Sequence, residues 1–423
     1  MKAETSLPLR EAVVERAARA RAATRELIKA DAAQRDEALR HMAAVLRDHA
    51  EQIKAENAKD MASGEDKGLS AAMLDRLRLD DQRIEDMAVA LEEIAEFDDP
   101  LAGVLAEWER PNGLRIQKVP VPIGVVGIVY ESRPNVTVDS VGLCLKAGNA
   151  VVLRGGSESI HSNVCLAGLL SDAAAEVGLP ASCVEIVPVT DRQAVLELVK
   201  LDQYLNLVVP RGGAQLIRTV KDNATVPVLE HERGMTQIYV DATCDVDMAV
   251  NIVHNAKAQR PGVCNAVENL YVHERNTKAL KAIVADLQAA GVEIRADAGV
   301  MAVCPDCTEA TAEDWDTEHL DLILTVGLVS SLDEALDHIA AHSSGLTEAI
   351  ITDNEANAAR FLREVDSACV YHNASTRFTD GGQFGMGAEI GISTGKMHAR
   401  GPVGVRELTS YKYVIHGQGQ VRG

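Results

Sequence analysis

The sequence predicts an α/β protein with parallel sheets, because short apolar strands alternate with helices through the middle of the chain. The 423 residues are 47% hydrophobic. They can bury a large core, and a usual domain size of roughly 150 residues indicates two or three domains. Only 3% of the residues are aromatic, so the core is expected to be aliphatic.

The N-terminal region is predicted to be helical. Residues 10–96 are rich in Ala, Glu, Arg and Leu, with apolar residues at helical spacing such as Met42 and Leu46. This pattern predicts several packed helices with a solvated charged face. In residues 106–119, Pro111-Asn112-Gly113 separates two extended arms, and Asn-Gly in that position predicts a β-hairpin.

The alternation of strands and helices begins after this hairpin. The predicted elements are strand 123–130, helix 136–146, strand 150–154, helix 162–177, strands 184–187 and 205–209, helix 248–257, and strands 269–273 and 322–326. Apolar strands separated by helices imply a parallel sheet covered on both faces.

Three polar loops follow predicted strands at their carboxyl ends, where open α/β sheets bind ligands. They span residues 131–135, 154–158 and 210–213. The last two contain Gly-Gly pairs, which let backbone amides approach a phosphate at a helix N-terminus but are equally typical of tight turns. The dinucleotide pattern G-x-G-x-x-G is absent in a strand-to-helix context, so a dinucleotide would be held in another way.

The net charge of −21 argues against nucleic-acid binding, which needs a basic face. An anionic substrate would instead need a locally basic site. Six arginines in Gly- or Pro-containing loops are candidates, although each could equally be a surface charge: Arg133, Arg154, Arg211, Arg260, Arg377 and Arg400.

The cysteines indicate a reducing compartment. Eight are scattered through the chain and no secretory signal is visible, so we expect a cytoplasmic protein with free thiols. Cys304 and Cys307 have the spacing of a metal knuckle but lack a second Cys or His pair, so no metal is expected. An apolar run long enough to span a bilayer, about 20 residues, is also missing from the sequence.

Cys264 is the candidate nucleophile. It lies in Gln259-Arg260-Pro261-Gly262-Val263-Cys264-Asn265, a loop kinked by Pro-Gly between a predicted helix and a predicted strand. A thiol on such a loop can act in covalent catalysis. Most free cysteines, however, are small buried hydrophobic residues, and this segment alone leaves both interpretations open.

Four long stretches together resemble the aldehyde dehydrogenase superfamily and, within it, the glutamate-5-semialdehyde dehydrogenases, also called γ-glutamyl phosphate reductases. The stretches are 130–139 (YESRPNVTVD), 145–156 (LKAGNAVVLRGG), 259–265 and 373–401. The resemblance covers nearly the whole chain. It implies two α/β domains with parallel sheets and a small β oligomerisation element.

The activity that this resemblance implies is the NADPH-dependent reduction of L-glutamate 5-phosphate to L-glutamate 5-semialdehyde, the second step of proline biosynthesis from glutamate. Cys264 matches the family's nucleophile, which forms a thioester as phosphate leaves. Asn135 matches a donor to the oxyanion, although Asn at a strand-to-helix turn is also typical of a helix N-cap.

The resemblance also implies the cofactor and substrate contacts. NADP(H) would lie against Arg154, Gly155, Gly156 and Ser157, with the arginine near the 2′-phosphate. Pro210, Arg211, Gly212 and Gly213 would form the pyrophosphate turn, and Glu318 would accept the nicotinamide ribose hydroxyls. Arg133, Arg377 and Lys396 are candidates for the substrate's carboxylate and phosphate.

The chain departs from the family pattern at two positions where histidines are expected. Gln237 stands in Met235-Thr236-Gln237-Ile238-Tyr239, and Leu346 precedes Thr347. Both changes remove an imidazole from the expected substrate or proton-transfer contacts. Glu230 resembles the superfamily's general base, but a reductase has little use for thioester hydrolysis, so only a supporting role is expected.

The expected domains are a cofactor domain (1–105 and 120–229), a catalytic domain (230–404) and an oligomerisation element (106–119 and 405–423). We expect a homo-oligomer, because pairing of an edge strand satisfies its backbone groups. Two other functions remain open: oxidation of a different aldehyde with NAD(P), and docking to the glutamate kinase that would make the unstable substrate.

Overall fold

The structure is a computed structural model that describes residues 9–229 and 233–422. The chain folds into two compact units. Of the described residues, the first unit contains 9–229, 385–391 and 403–422, and the second contains 233–384 and 392–402.

The first unit begins with the predicted helices: α1 Leu9–Leu27, α2 Ala32–Asp48, α3 Ala50–Asp66, α4 Ala71–Leu77 and α5 Asp81–Ala95. Aspartate or serine caps open three of them, as at Asp31, where the carboxylate accepts the Gln34 amide. The hairpin follows as β1 Ala106–Glu109 and β2 Arg115–Pro122, which pair antiparallel. Gly113 has φ +82° in the connecting turn, as Asn-Gly predicts.

A parallel sheet forms the centre of the first unit. Its elements are β3 Val125–Tyr130, α6 Asn135–Lys146, β4 Ala150–Arg154, α7 Ile160–Glu176, β5 Val184–Ile186, α8 Gln193–Leu198, β6 Leu207–Arg211 and α9 Ala214–Asn223. The strand order is β5-β4-β3-β6, and every pairing is parallel. The order reverses between β3 and β6, which makes their carboxyl ends the topological switch point of the sheet.

The second unit contains a seven-stranded parallel sheet of order β10-β9-β11-β8-β7-β12-β13. Its elements are β7 Thr236–Val240, α10 Val246–Ala258, β8 Val267–His273, α11 Thr277–Ala289, β9 Glu293–Ala296, α12 Ala298–Val303, β10 Thr308–Glu309, β11 Ile323–Val329, α13 Leu332–His342, β12 Thr347–Ile351, α14 Glu355–Glu364 and β13 Cys369–His372. The central strands β7, β8 and β12 are fully buried. One of its two core clusters is aliphatic, as the composition predicts, and the other contains Tyr239, Tyr271 and Phe361.

Three short strands complete the described chain: β14 Gly391–Ser393, β15 Gly401–Val403 and β16 Thr409–His416. The first two form a two-stranded sheet. The third pairs antiparallel with β2, so that β1, β2 and β16 make a separate small sheet, the β element that the family resemblance implies.

Candidate active site

Cys264 lies in the loop between α10 and β8 and is half-buried. The Thr236 hydroxyl donates to the carbonyl of Cys264 at 2.9 Å. The next residue, Asn265, donates its amide to the carbonyl of Thr379 at 2.8 Å, and its own carbonyl accepts the Thr376 hydroxyl at 2.8 Å. Segments from both sides therefore fix the backbone that carries the thiol.

Gly234 packs directly against this backbone. A Cβ at Gly234 would lie 2.4 Å from the Cα of Cys264, so no other residue fits without displacing the loop. The amide of Gly234 donates to Glu318 Oε1 at 2.8 Å, and Arg233 Nη1 donates to the carbonyl of Asp316 at 2.9 Å. Gly234 thus links the Glu318 carboxylate to the backbone of the loop that contains Cys264.

Burial is the main influence on Glu318, and it raises the pKa of this carboxyl. The hydrogen bond from Gly234 and the charges of Arg233 and Lys257 act in the opposite direction. A half-buried carboxylate has acceptor capacity for hydroxyl groups, and the contact of Glu318 with the nicotinamide ribose stays a prediction.

Arg377 places positive charge beside the nucleophile. Its Nε donates to Gln259 Oε1 at 2.9 Å, and its guanidinium also bonds the side chain of Asn265. Burial lowers the pKa of Arg377, the nearby Arg260 lowers it further, and the charge of the Cys264 thiolate opposes both. A neighbouring cation favours the thiolate, which is the reactive form of cysteine.

The other two predicted substrate contacts lie elsewhere on their units. Lys396 is exposed and pairs with Asp366, which also accepts from Arg400 at 3.0 Å. Arg133 is exposed in the loop before α6, where its carbonyl accepts the amide of Val136. The structure therefore brings Arg377, but not Lys396, into hydrogen-bond contact with the residue that follows Cys264.

In the first unit, two of the predicted loops meet at the switch point of the sheet. Pro210 and Arg211 end β6, and Gly213 caps α9. Glu131 Oε2 accepts the amide of Gly213 at 2.8 Å, and a Cβ at Gly212 would lie 2.6 Å from the Glu131 carboxyl carbon. The Glu131 carboxylate occupies this helix N-terminus in the structure, so the contact of the turn with a pyrophosphate stays a prediction.

The third loop follows β4 and is tightly packed. A Cβ at Gly155 would lie 2.1 Å from Asn163 Nδ2, and one at Gly156 would lie 3.0 Å from the amide of Ser132. Ser157 donates its hydroxyl to Glu158 at 2.9 Å. Glycine is needed at both positions because the backbone runs against its neighbours.

Arg154 is more buried than a phosphate-binding arginine at a loop end would suggest, at 5% exposure. Its guanidinium donates to the carbonyls of Gly155 at 2.8 Å, Thr190 at 3.2 Å and Asp191 at 2.9 Å. Burial lowers its pKa. Arg154 therefore fixes the loop after β4 to the segment that follows β5, and its contact to a 2′-phosphate stays a prediction.

Asn135 is the first residue of α6, and its side chain is exposed. The alternative of a helix N-cap is wrong: Pro134 occupies the cap position, and no side chain caps this helix. Instead, Asn135 Nδ2 donates to Asp139 Oδ2 at 3.0 Å, one turn along the helix. Burial raises the pKa of Asp139 to about 6.

The two positions that lack the expected histidines are both completely buried. Gln237 donates its amide to the carbonyl of Ile339 at 3.3 Å, and Leu346 lies in the core before β12. Glu230 lies outside the described residues.

Neither a metal centre nor a membrane-spanning helix is found in the part of the chain that the structure describes. Among the described residues, no cluster of three or more His, Cys, Asp or Glu side chains could hold a metal ion. Nor is any helix in residues 9–229 and 233–422 both long and apolar enough to cross a bilayer.

Comparison with known proteins identifies the family. Residues 3–303 match the aldehyde dehydrogenase family. The γ-glutamyl phosphate reductase of Caldanaerobacter subterraneus is 52% identical over 408 residues, which cover 96% of this chain and 99% of the relative. The crystal structure of γ-glutamyl phosphate reductase from Thermotoga maritima is 47% identical, with a TM-score of 0.96, covering 97% of this chain and 100% of that one.

The chain belongs to the γ-glutamyl phosphate reductases of the aldehyde dehydrogenase family. This confirms the predicted resemblance, the fold class and an oxidoreductase activity. Enzymes of the family use nicotinamide cofactors, and a distant neighbour with the same fold, an engineered glycolyl-CoA reductase of 14% identity and TM-score 0.67, contains bound NADP+.

Several residues of this reductase site were not predicted from the sequence. Gly234 and Thr236 carry no signal in their own segment, since their importance comes from contact with a loop 28 residues later. Lys257 and Glu268 did offer a signal, because charged residues stand inside apolar helix and strand segments on either side of Cys264.

Proposed function

We propose that this chain reduces L-glutamate 5-phosphate to L-glutamate 5-semialdehyde with NADPH and releases inorganic phosphate, the second step of proline synthesis from glutamate. The observation that carries the proposal is the fixed position of the Cys264 backbone. This backbone is fixed by Thr236 and Gly234, and the charge of Arg377 lies beside it. A thiolate placed in this way is suited to attack a reactive acyl carbon.

The proposed reaction takes place on the sulfur of Cys264. The Cys264 thiolate bonds to the acyl carbon, the bond from that carbon to the phosphate oxygen breaks, and phosphate leaves with the electron pair. A thioester remains on Cys264. A nicotinamide cofactor, when bound, would supply the hydride that reduces the acyl group. Cys264 finally departs as the thiolate, which Arg377 stabilises, and the aldehyde is released.

Negative charge develops on the carbonyl oxygen during the attack. By family resemblance, the side chain of Asn135 and the backbone amide of Cys264 are the donors to this oxyanion. The Asn135 amide already donates to Asp139, which fixes its orientation. Loss of one such donor typically costs about 3 kcal/mol of transition-state stabilisation.

The cofactor contacts follow the family resemblance. The 210–213 turn at the N-terminus of α9 and the loop of Gly155, Gly156 and Ser157 would hold phosphates, with Arg154 supporting the second loop. Glu318 would accept the hydroxyls of the nicotinamide ribose. Arg377 is the favoured contact for the substrate's anionic groups, with Arg133 and Lys396 as further candidates.

We also assign the protein to the cytoplasm and to a homo-oligomer, with glutamate kinase as a partner that delivers the unstable acyl phosphate. Support for the oligomer comes from the sheet of β1, β2 and β16. Its outer strand β16 exposes Tyr411, Tyr413 and Ile415 at alternate positions. Alternate positions share one face of a strand, so these three side chains lie together, and Lys118 Nζ lies 3.6 Å from the centre of the Tyr411 ring.

The test is phosphate-dependent reduction of NADP+ by the purified protein with L-glutamate 5-semialdehyde, the reverse reaction. Reduction beyond the first turnover should require phosphate or arsenate, and Cys264→Ala should abolish all reduction. Cys165→Ala is the matched control, because it removes a half-buried thiol from α7 and should leave the rate unchanged. Phosphate-independent oxidation, or full activity with another aldehyde only, would show a different dehydrogenase.

A further inference from the structure

A fully buried ion pair brackets the nucleophile loop. Lys257 Nζ and Glu268 Oε2 are 2.9 Å apart, and both side chains are 0% exposed. Lys257 lies in the last turn of α10 and Glu268 near the start of β8. The segment with Cys264 lies between them, so the pair ties its two ends together.

Stability alone gives little reason for such a pair. Burial raises the pKa of Glu268 to about 7 and lowers the pKa of Lys257, so the surroundings oppose both charges. Well-packed apolar residues of similar volume often stabilise a protein as well as a buried ion pair does or better. What an ion pair adds is a defined direction for each side chain.

The direction matters because Glu268 makes a second contact. Its Oε1 accepts the amide of Leu320 at 3.3 Å. Leu320 has φ +53°, a conformation that a leucine rarely adopts without support. It lies two residues after Glu318, so Glu268 also fixes the loop that presents the Glu318 carboxylate.

These contacts form a closed ring. Glu268 bonds the amide of Leu320, the neighbouring Glu318 accepts from the amide of Gly234, and Gly234 packs on the backbone of Cys264. The backbone of residues 265–268 connects Cys264 to Glu268 and closes the ring. Two chains of contacts therefore connect Glu318 with Cys264.

We propose that Lys257 and Glu268 are positioning residues that hold the Glu318 loop in register with the Cys264 loop, so that engagement of Glu318 by the cofactor sets the geometry of the thiol. This inference rests on the proposed function, in which Glu318 contacts the nicotinamide ribose. Apart from Glu268, the charged groups that influence the pKa of Lys257 are Glu318 and Asp321, and both raise it.

The test separates positioning from stability with the double variant Lys257→Met/Glu268→Met. It removes both charges and the acceptor for Leu320 together, leaving no unpaired buried charge, so it should fold and melt near the wild-type temperature. The loops lose their register, and kcat/KM should fall about 100-fold, since small misplacements of reacting groups cost that much. KM for NADPH should rise and kcat should fall.

The second measurement needs no substrate. Alkylation of Cys264 by iodoacetamide is followed by peptide mass spectrometry with and without NADPH. In the wild type the cofactor should change the alkylation rate, and in the double variant this change should disappear. Glu268→Gln keeps an acceptor for Leu320 and should retain part of the response.

The control is Lys146→Met/Asp36→Ala, which removes another ion pair of a buried lysine from the first unit. In this pair Lys146 Nζ and Asp36 Oδ1 are 2.6 Å apart. Its alkylation response should match the wild type. The inference is overturned if the Met/Met variant keeps wild-type kinetics and the wild-type response to NADPH, or if the wild type shows no response. Failure of the proposed function would instead appear as a missing phosphate requirement in the wild type.

Discussion

At the scale of single residues, Gly234 packs so closely on the backbone of Cys264 that a side chain at position 234 would not fit. A Cβ at Gly234 would lie 2.2 Å from the carbonyl oxygen of Cys264 and 2.4 Å from its Cα. Real Cβ atoms do not approach backbone that closely, so any side chain there must push the loop away. The hydrogen bond from Gly234 to Glu318 would shift with it.

Gly234→Ala should therefore reduce kcat by about 100-fold, as expected for misplaced reacting groups, while most of the fold remains. Steady-state kinetics and circular dichroism measure the two effects. The matched control is Gly168→Ala in α7, where a Cβ meets nothing within 4 Å. That control should keep full activity and gain about 0.5–1 kcal/mol from helix propensity. Wild-type kcat in Gly234→Ala would refute the close approach.

Residue type and loop context made Cys264 and Arg377 candidates in the sequence, and the family resemblance favoured the nucleophile over a buried filler at Cys264. Gly234 could not be predicted in this way. Its importance depends on a contact across 30 residues of chain, and many glycines in this sequence occupy ordinary turns.

At the scale of elements, the candidate site residues lie at the carboxyl ends of the strands in one parallel sheet and at the amino ends in the other. The predicted cofactor loops follow β3, β4 and β6 at their carboxyl ends, as the general rule for open α/β sheets requires. Cys264 precedes β8, and Glu318 precedes β11, so the second unit gathers its site at the amino ends of its strands. The rule predicts ligand contacts at the first set of loops and makes no prediction for the second.

The strands themselves were largely predictable because they are buried on both faces and read as apolar runs, as at β4, which spans the predicted residues 150–154. Polar residues inside the buried strands were not predicted. Gln237, Glu268 and Glu348 all have 0% exposure. Their partners come from other elements, which sequence periodicity does not reveal.

Glu348 in β12 provides a pH test. Burial raises its pKa from an ordinary 4.5 to about 7, against hydrogen bonds from Ser343 and Ser367 and the charge of Arg400. Between these pH values the folded protein binds one more proton than the unfolded chain. The free energy of unfolding therefore falls as pH rises from 4.5 to 7, by about 3 kcal/mol from this group.

Glu348→Gln should remove this fall, so that the variant gains stability relative to the wild type as pH rises from 5 to 8. Urea unfolding at several pH values measures the difference. Glu309→Gln, at an exposed position in β10, is the control and should follow the wild-type profile. Parallel pH profiles for Glu348→Gln and wild type would mean that Glu348 is ionised throughout.

At the scale of the whole molecule, the small sheet of β1, β2 and β16 stands apart from both parallel sheets in its pairing. Trp108 packs edge-on against Tyr413 with ring centroids 6.0 Å apart, and both stay exposed at 39% and 53%. Exposed aromatic residues on an outer strand are typical of an interface between subunits.

The double variant Tyr413→Lys/Ile415→Lys should reduce the mass of the particle in solution, measured by light scattering after size-exclusion chromatography. The lysines add like charges to the face of Tyr411, Tyr413 and Ile415, which would meet its copy. Leu362→Lys, an exposed apolar residue in α14, should leave the mass unchanged. An unchanged mass in the double variant would exclude this sheet as the interface.

The central claim is that Cys264 carries the acyl group as a thioester, and one measurement tests it most directly. The protein is mixed with L-glutamate 5-semialdehyde and NADP+ without phosphate, and NADPH formation and protein mass are followed together. We predict a burst of one NADPH per active chain and one glutamyl group, located on Cys264 by peptide mass spectrometry and released by added phosphate. A burst in Cys264→Ala, or a glutamyl group on another residue, would contradict the account.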